Sequence, residues 1–311
     1  MKLEEKQVLL TQRFNPFVSS KEKEWWYTGI SDPDNNIFLG FSVIRVMFMD
    51  SISVTLFDPE RDEALEVSWK GFLDKEIPPG QLYLKAHNKK ISFSYTGSEE
   101  EGWHFSFQSP ELSADLAIQK SIPHFTKFDN YFVDDYMLLH YFMNRVNGSI
   151  QTKEKTYTVN TAQGYLDHCA GTVPGKTKWH WIAVQNKNCA LASLMNYGVY
   201  PQCYTQSYFA GAAPEAALNR WIRLDQDVSF ESYHKDRFNK SWRISSPDMF
   251  LKCKIIQTSL EHERIPPLIP FLVKLDHYQC SVEIEGCIRV DGSWIETGPM
   301  HGVLEEHYGN W

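Results

Sequence analysis

Between Gly164 and Gly171 the chain reads Gly-Tyr-Leu-Asp-His-Cys-Ala-Gly, with a phenol, a carboxyl, an imidazole and a thiol in one short stretch. In an extended strand the side chains alternate, so Tyr165 and Asp167 share one face and Leu166 and His168 share the other. A carboxyl held against an aromatic wall loses hydration. Desolvation favours its neutral form, which is how a protein makes a general acid that works near neutral pH. Asp167 with Tyr165 is therefore a candidate proton donor; the competing reading is a structural Asp that bonds backbone near a turn. His168 reads as a surface or supporting residue. Cys169 lacks a cysteine-protease signature around it, and a nucleophilic role is set aside.

Such a stretch needs strands to hold it, and the chain is rich in them. Glu24-Trp25-Trp26-Tyr27 leads through Asp32-Pro33-Asp34-Asn35-Asn36 into the apolar run 37–46, which predicts a β-hairpin closed by turn residues. Further strands are predicted at 52–57, 65–72, 81–85, 90–95, 103–107 and 112–120, punctuated by Pro78-Pro79-Gly80 and by 98–102. Helical periodicity is nearly absent, with one short helix predicted at 214–221 after Pro214.

Composition narrows the function classes. The 311 residues are 42% hydrophobic and 14% aromatic, which suits a folded β-rich protein with an apolar pocket. A net charge of -8 without a Lys/Arg run excludes a nucleic-acid partner. No apolar run approaches the roughly 18 residues of a membrane span, and Val8-Leu9-Leu10 is too short for a signal peptide. No integral membrane segment is expected, and the expected location is the cytoplasm. The six cysteines are scattered and read as reduced. No dinucleotide fingerprint, phosphate loop or nucleophile elbow is present, so no cofactor is expected. His301 and His307 beside Glu305 and Glu306 form the densest histidine cluster, but nothing there forces a metal site, and none is expected.

The chain also repeats itself. Asn147-Gly148-Ser149-Ile150 matches Glu285-Gly286-Cys287-Ile288, and Gly164–Gly171 matches Gly302–Gly309, each pair 138 positions apart. Trp103 with Ser109-Pro110-Glu111 matches Trp242 with Ser246-Pro247-Asp248 in the same order. Duplication predicts two domains, 1–175 and 176–311, each opening on an aromatic strand: Glu24-Trp25-Trp26-Tyr27 in the first and Lys178-Trp179-His180-Trp181 in the second. If each last strand pairs back on the first, Asp167 comes near Glu24 and Trp26, and Trp179 to Trp181 could line the seam between units. Glu24 is the only charge in its aromatic run. Buried, it needs a partner, either Arg45 or a network shared with Asp167. In the second copy Glu305 and Glu306 replace Asp167 and His168, and Val303 replaces Tyr165, so that copy reads as structural.

The order Glu24-Trp25-Trp26-Tyr27, His140-Tyr141-Phe142 and Tyr165-Leu166-Asp167 resembles the carotenoid 1,2-hydratase (hydroxyneurosporene synthase) family. Its lipocalin-like superfamily also contains tocopherol cyclases and decalin-forming Diels-Alderases. The resemblance implies an all-β fold of two tandem lipocalin-like (calycin-like) antiparallel β-barrel or sandwich domains with an apolar cavity. It further implies that Asp167, supported by Tyr165 and His140, protonates an isoprenoid double bond; Phe142 stands where the family has Trp. With Phe142, Trp26, Glu24, Trp179 and Trp181 as substrate-binding residues, the expected function is cofactor-independent hydration or cyclisation of a hydrophobic small molecule, a lyase or isomerase reaction. A pericyclase and a non-catalytic lipid or terpenoid carrier are the alternatives.

Overall fold

The structure is a computed structural model that describes residues 22–46, 49–75, 81–121, 125–128, 136–172, 176–196, 204–211, 222–224, 227–232, 241–265 and 273–310. It is all-β, and among the described residues there is no helix. None is therefore long and apolar enough to cross a membrane. The short helix predicted at 214–221 lies outside the described residues. Cα packing divides the chain into two units. One comprises Met1–Leu56 and Leu65–Val173, the other Phe57–Ala64 and Pro174–Trp311.

The strands of the first sheet are β1 (Glu22–Asp32), β2 (Ile37–Val46), β3 (Met49–Phe57), β4 (Leu65–Gly71), β5 (Asp74–Lys75) and β6 (Gln81–His87). They continue with β7 (Ser92–Ser98), β8 (Gly102–Gln108), β9 (Leu112–Gln119), β10 (Phe125–Phe128), β11 (Tyr136–Thr152) and β12 (Thr156–Thr172). The hairpin from β1 to β2 turns where its residues predict. Asn36 N–H donates to Pro33 O, and Asn36 takes a positive φ of 53° that Asn tolerates.

In the second sheet the strands are β13 (Lys176–Gln185), β14 (Cys189–Asn196), β15 (Tyr204–Gly211), β16 (Ile222–Leu224) and β17 (Ser229–Ser232). After them come β18 (Ser241–Ser246), β19 (Met249–Ile265), β20 (Val273–Val290), β21 (Ser293–Glu296) and β22 (Met300–Asn310).

Both sheets follow one path. The first runs β4-β3-β2-β1-β12-β11-β9-β8-β7-β6-β5, and the second β16-β15-β14-β13-β22-β20-β19-β18-β17. In each, the closing strand lies antiparallel between the opening strand and the long strand before it: β12 between β1 and β11, β22 between β13 and β20. The sequence repeat is thus a repeat of strand order.

One glycine pair shows why the repeat is physical. Gly148 (φ 144°) and Gly286 (φ 158°), 138 positions apart, both sit where a Cβ would lie about 2 Å from a carbonyl oxygen of the neighbouring strand, Asp115 in one case and Phe250 in the other. Only glycine allows that backbone and that approach. Gly148→Ala is expected to cost about 2–3 kcal/mol, read as a lower midpoint in chemical denaturation. A midpoint equal to that of the unsubstituted protein would show that the strands can part there without penalty.

Each sheet curls around its own core. In the first unit a single cluster joins Trp26, Phe41, Val54, Leu84, Tyr95, Phe105 and Leu166, drawn from strands at both ends of the path. Phe41 stacks on Phe105 with centroids 3.7 Å apart, and Tyr95 O–H meets Thr28 Oγ1 at 3.2 Å. Aromatic side chains therefore occupy the core side of the sheet. The second unit packs Ile182, Leu191, Trp242, Leu251, Val282 and Leu304 in the same way. Cys169, Cys189, Cys253, Cys280 and Cys287 are free thiols, and Cys203 lies outside the described residues. Burial pushes the Cys189 thiol up to about 11 and that of Cys280 to about 12, so both remain protonated.

Candidate active site

The closing strand β12 carries Tyr165 and Asp167 on the face that does not contribute to the core cluster, while Leu166 belongs to that cluster. Strand pairing supplies their neighbours. Asp167 lies between Tyr27 of β1 and His140 of β11, one on each side. Tyr165 O–H donates to Asp167 Oδ2 at 2.5 Å. With that proton committed, the phenol oxygen accepts from His140 Nδ1–H at 3.0 Å, which assigns the histidine tautomer. The imidazole, phenol and carboxyl form one hydrogen-bonded row. All three are buried, at 2%, 3% and 8% exposure.

The aromatic neighbours come from two strands. Tyr27 approaches Tyr165 with centroids 6.1 Å apart, and Phe142 lies closer, at 4.3 Å. Phe142 reaches this position through a β-bulge. Tyr141 pairs with Leu166 and Asn144 with Gly164, so Phe142 and Met143 together face Tyr165 alone. Met143 takes φ 56°, and Asn144 Nδ2 closes the gap by donating to Tyr141 O (3.1 Å) and Gly164 O (3.0 Å). Sequence reasoning missed this bulge, although its signal is present. Core positions on β11 change parity, from Tyr141 before the bulge to Val146 and Ile150 after it.

Glu24 and Trp26 lie elsewhere. Tyr27, not Trp26, stands opposite Asp167, and the pleat turns Glu24 and Trp26 to the core side. Of the two partners expected for Glu24, the structure pairs it with Arg45 and not with Asp167. Glu24 Oε1 meets His168 Nε2 at 3.0 Å, and its Oε2 meets Arg45 at 3.5 Å. Arg45 Nε continues to Asp50 Oδ1 at 2.9 Å, and Asp50 Oδ2 accepts from Leu73 N–H. His168 is buried and not at the surface, stacked on Trp26 at 4.7 Å with the rings nearly parallel. Of the two expectations for it, surface or supporting, the first fails because β12 has a neighbouring strand on both sides and a packed core beneath it.

Trp179 and Trp181 lie on β13 of the second unit, on its non-core face, while His180 turns inward to within 5.5 Å of Trp242. No three His, Cys, Asp or Glu side chains among the described residues are placed to hold one metal ion.

The sequence profile described as a domain of unknown function, DUF2804, matches residues 12–311, nearly the whole chain. The chain belongs to the DUF2804 family. No curated protein matches this DUF2804 chain. Solved structures do match its fold. An AttH-type protein from Nitrosomonas europaea superposes with a TM-score of 0.68 at 13% identity, covering 94% of this chain and 93% of that one. Kievitone hydratase from Nectria haematococca gives 0.63 at 10% identity over 92% and 88%. CghA with Sch210972 gives 0.64 at 12% identity over 94% and 89%. These likenesses place the DUF2804 chain among lipocalin-like two-domain folds. At 10–13% identity they show the fold alone, and nothing in them is specific to carotenoid 1,2-hydratases.

Proposed function

We propose that this DUF2804 protein is a cofactor-independent enzyme of the lipocalin-like type, in which Asp167 of the N-terminal domain protonates a C=C bond of a hydrophobic, isoprenoid-like substrate. The observation that carries the reading is the buried row His140–Tyr165–Asp167 with Phe142 and Tyr27 beside it. Protonating an unactivated alkene creates a carbocation, so the acid must be strong, dry and close to π faces. In the reactive state the proton rides on the carboxyl. As it passes to carbon, the Tyr165 hydrogen bond holds the carboxylate left behind. Water or an internal hydroxyl then adds to the cation. The proton it releases replaces the one that Asp167 gave up, so the carboxyl is protonated again for the next turnover. A kievitone hydratase and a CghA bound to Sch210972 among the structural neighbours agree with small-molecule chemistry on this fold.

The test is incubation in deuterated water with a panel of acyclic and cyclic polyprenyl alkenes, with products read by mass spectrometry. One carbon-bound deuterium per hydrated or cyclised product is expected. Turnover without deuterium would replace this reading with a pericyclic one, and binding without turnover would make the protein a carrier.

A further inference from the structure

The second unit holds a polar cluster that the duplication does not explain. On the non-core face of its sheet, two cross-strand rows lie side by side. Trp181, Glu305 and Gln279 form one, and Trp179, His307 and His277 form the other. Residues of intervening parity, Ile182, Leu304 and Cys280, belong to the core, so the six side chains share one surface. Glu305 stands where the first unit has Asp167. Its neighbours, however, are a tryptophan and a glutamine where Asp167 has a tyrosine and a histidine.

The imidazoles sit one row along and are linked in a chain. Thr177 Oγ1 meets His307 Nε2 at 2.9 Å, His307 Nδ1 meets His277 Nδ1 at 3.4 Å, and His277 Nε2 faces Glu305 Oε1 at 3.8 Å. A carboxylate beside Nε2 draws the His277 proton to that nitrogen. In the neutral ring Nδ1 then accepts, so His307 donates from its own Nδ1 and accepts from Thr177 at Nε2. Every donor in the chain consequently points toward Glu305. Trp179 stacks on His307 with centroids 3.4 Å apart and locks that ring.

Gln279 Nε2 donates to the same oxygen, Oε1, at 3.3 Å. Both neighbours thus converge on one oxygen of Glu305. Among the described residues, no hydrogen bond or ion pair engages Oε2. A largely buried carboxylate, held at one oxygen by the Gln279 amide with the His277 ring 3.8 Å from the same oxygen and an indole opposite it, keeps its other oxygen for a hydrogen bond from outside the protein.

We propose that Glu305 Oε2 is the acceptor of a binding site for a hydroxyl carried on an otherwise apolar ring, with Trp181 as the apolar wall and the Thr177–His307–His277 chain holding the carboxylate in place. The His301 cluster expected from sequence gives way to this one, because β20 brings His277 alongside His307. The site stands independently of the role of Asp167.

Calorimetry on the full chain with 2-naphthol and its methyl ether tests it. The hydroxyl compound should bind roughly tenfold more tightly, the worth of a hydrogen bond to a charged group in a partly dry site. Glu305→Leu should erase that preference, and Asp167→Asn should keep it. Equal binding of the two probes, no binding of either, or loss of the preference in Asp167→Asn instead would each overturn the proposal. Nitrogen-15 NMR of histidine-labelled protein supplies a check that needs no variant. In the neutral rings His277 should carry its proton on Nε2 and His307 on Nδ1, and the reverse tautomers would also overturn the assignment.

Discussion

Arg45→Met is expected to destabilise the protein by about 3–5 kcal/mol, the range for removing one partner of a buried ion pair. Arg45 lies between the carboxylates of Glu24 and Asp50, and all three side chains are at most 5% exposed. Without the guanidinium, two buried negative groups remain in the core of the first unit. Leu73 N–H supports one and His168 the other. The loss should appear as a lower denaturation midpoint. The triple substitution Glu24→Gln, Arg45→Met, Asp50→Asn should recover most of it, because no uncompensated charge is left. A single substitution that costs less than about 1 kcal/mol would mean that water reaches these groups and screens them.

Asp167→Asn carries the largest effect expected on activity. If the carboxyl supplies the proton, turnover should fall by about 10²–10⁴-fold, the usual contribution of a general acid. Asn retains an oxygen that can accept from Tyr165 O–H, so the row and the fold should survive. Circular dichroism and the denaturation midpoint serve as controls. Tyr165→Phe should lower turnover less, because it removes the support for the conjugate base and leaves the acid in place. Unchanged turnover in Asp167→Asn on a substrate that the deuterium assay identifies would remove Asp167 from the mechanism.

These two predictions concern opposite faces of the same strands. Asp167 and His168 are adjacent in sequence, yet the pleat sends one to the aromatic row and the other to the ionic network in the core. The separation of Asp167 from His168 was legible from period-2 geometry alone. Glu24 was legible as a charge in need of a partner, and Arg45 was one of two candidates. Which face of β1 it occupied was not legible, since Trp25, Trp26 and Tyr27 offer no alternation of apolar and polar residues to read. The β-bulge was hidden for a related reason. A two-against-one pairing exists only between strands, and His140-Tyr141-Phe142 reads as regular extended chain until its register against Tyr165 is known.

The repeat was the strongest long-range signal, because two glycines 138 positions apart answer the same backbone demand in both sheets. It said less about what surrounds Glu305. Replacement of Tyr165 by Val303 reads as a structural second copy, and the neighbours His277 and Gln279 come to Glu305 from β20, outside the matched segment.

By itself, the sequence determined that this chain is all-β, that its motifs recur at a fixed spacing, and that Tyr165 and Asp167 share a face. Those follow from local periods and from glycines whose requirements are set by the backbone around them. Only the tertiary structure decided that His140 completes the acid row, that Glu24 and His168 are buried together, and that Glu305 faces His277 and Gln279. Each of those contacts joins strands distant in sequence, and shifting a strand by one residue would turn every side chain involved to the other face.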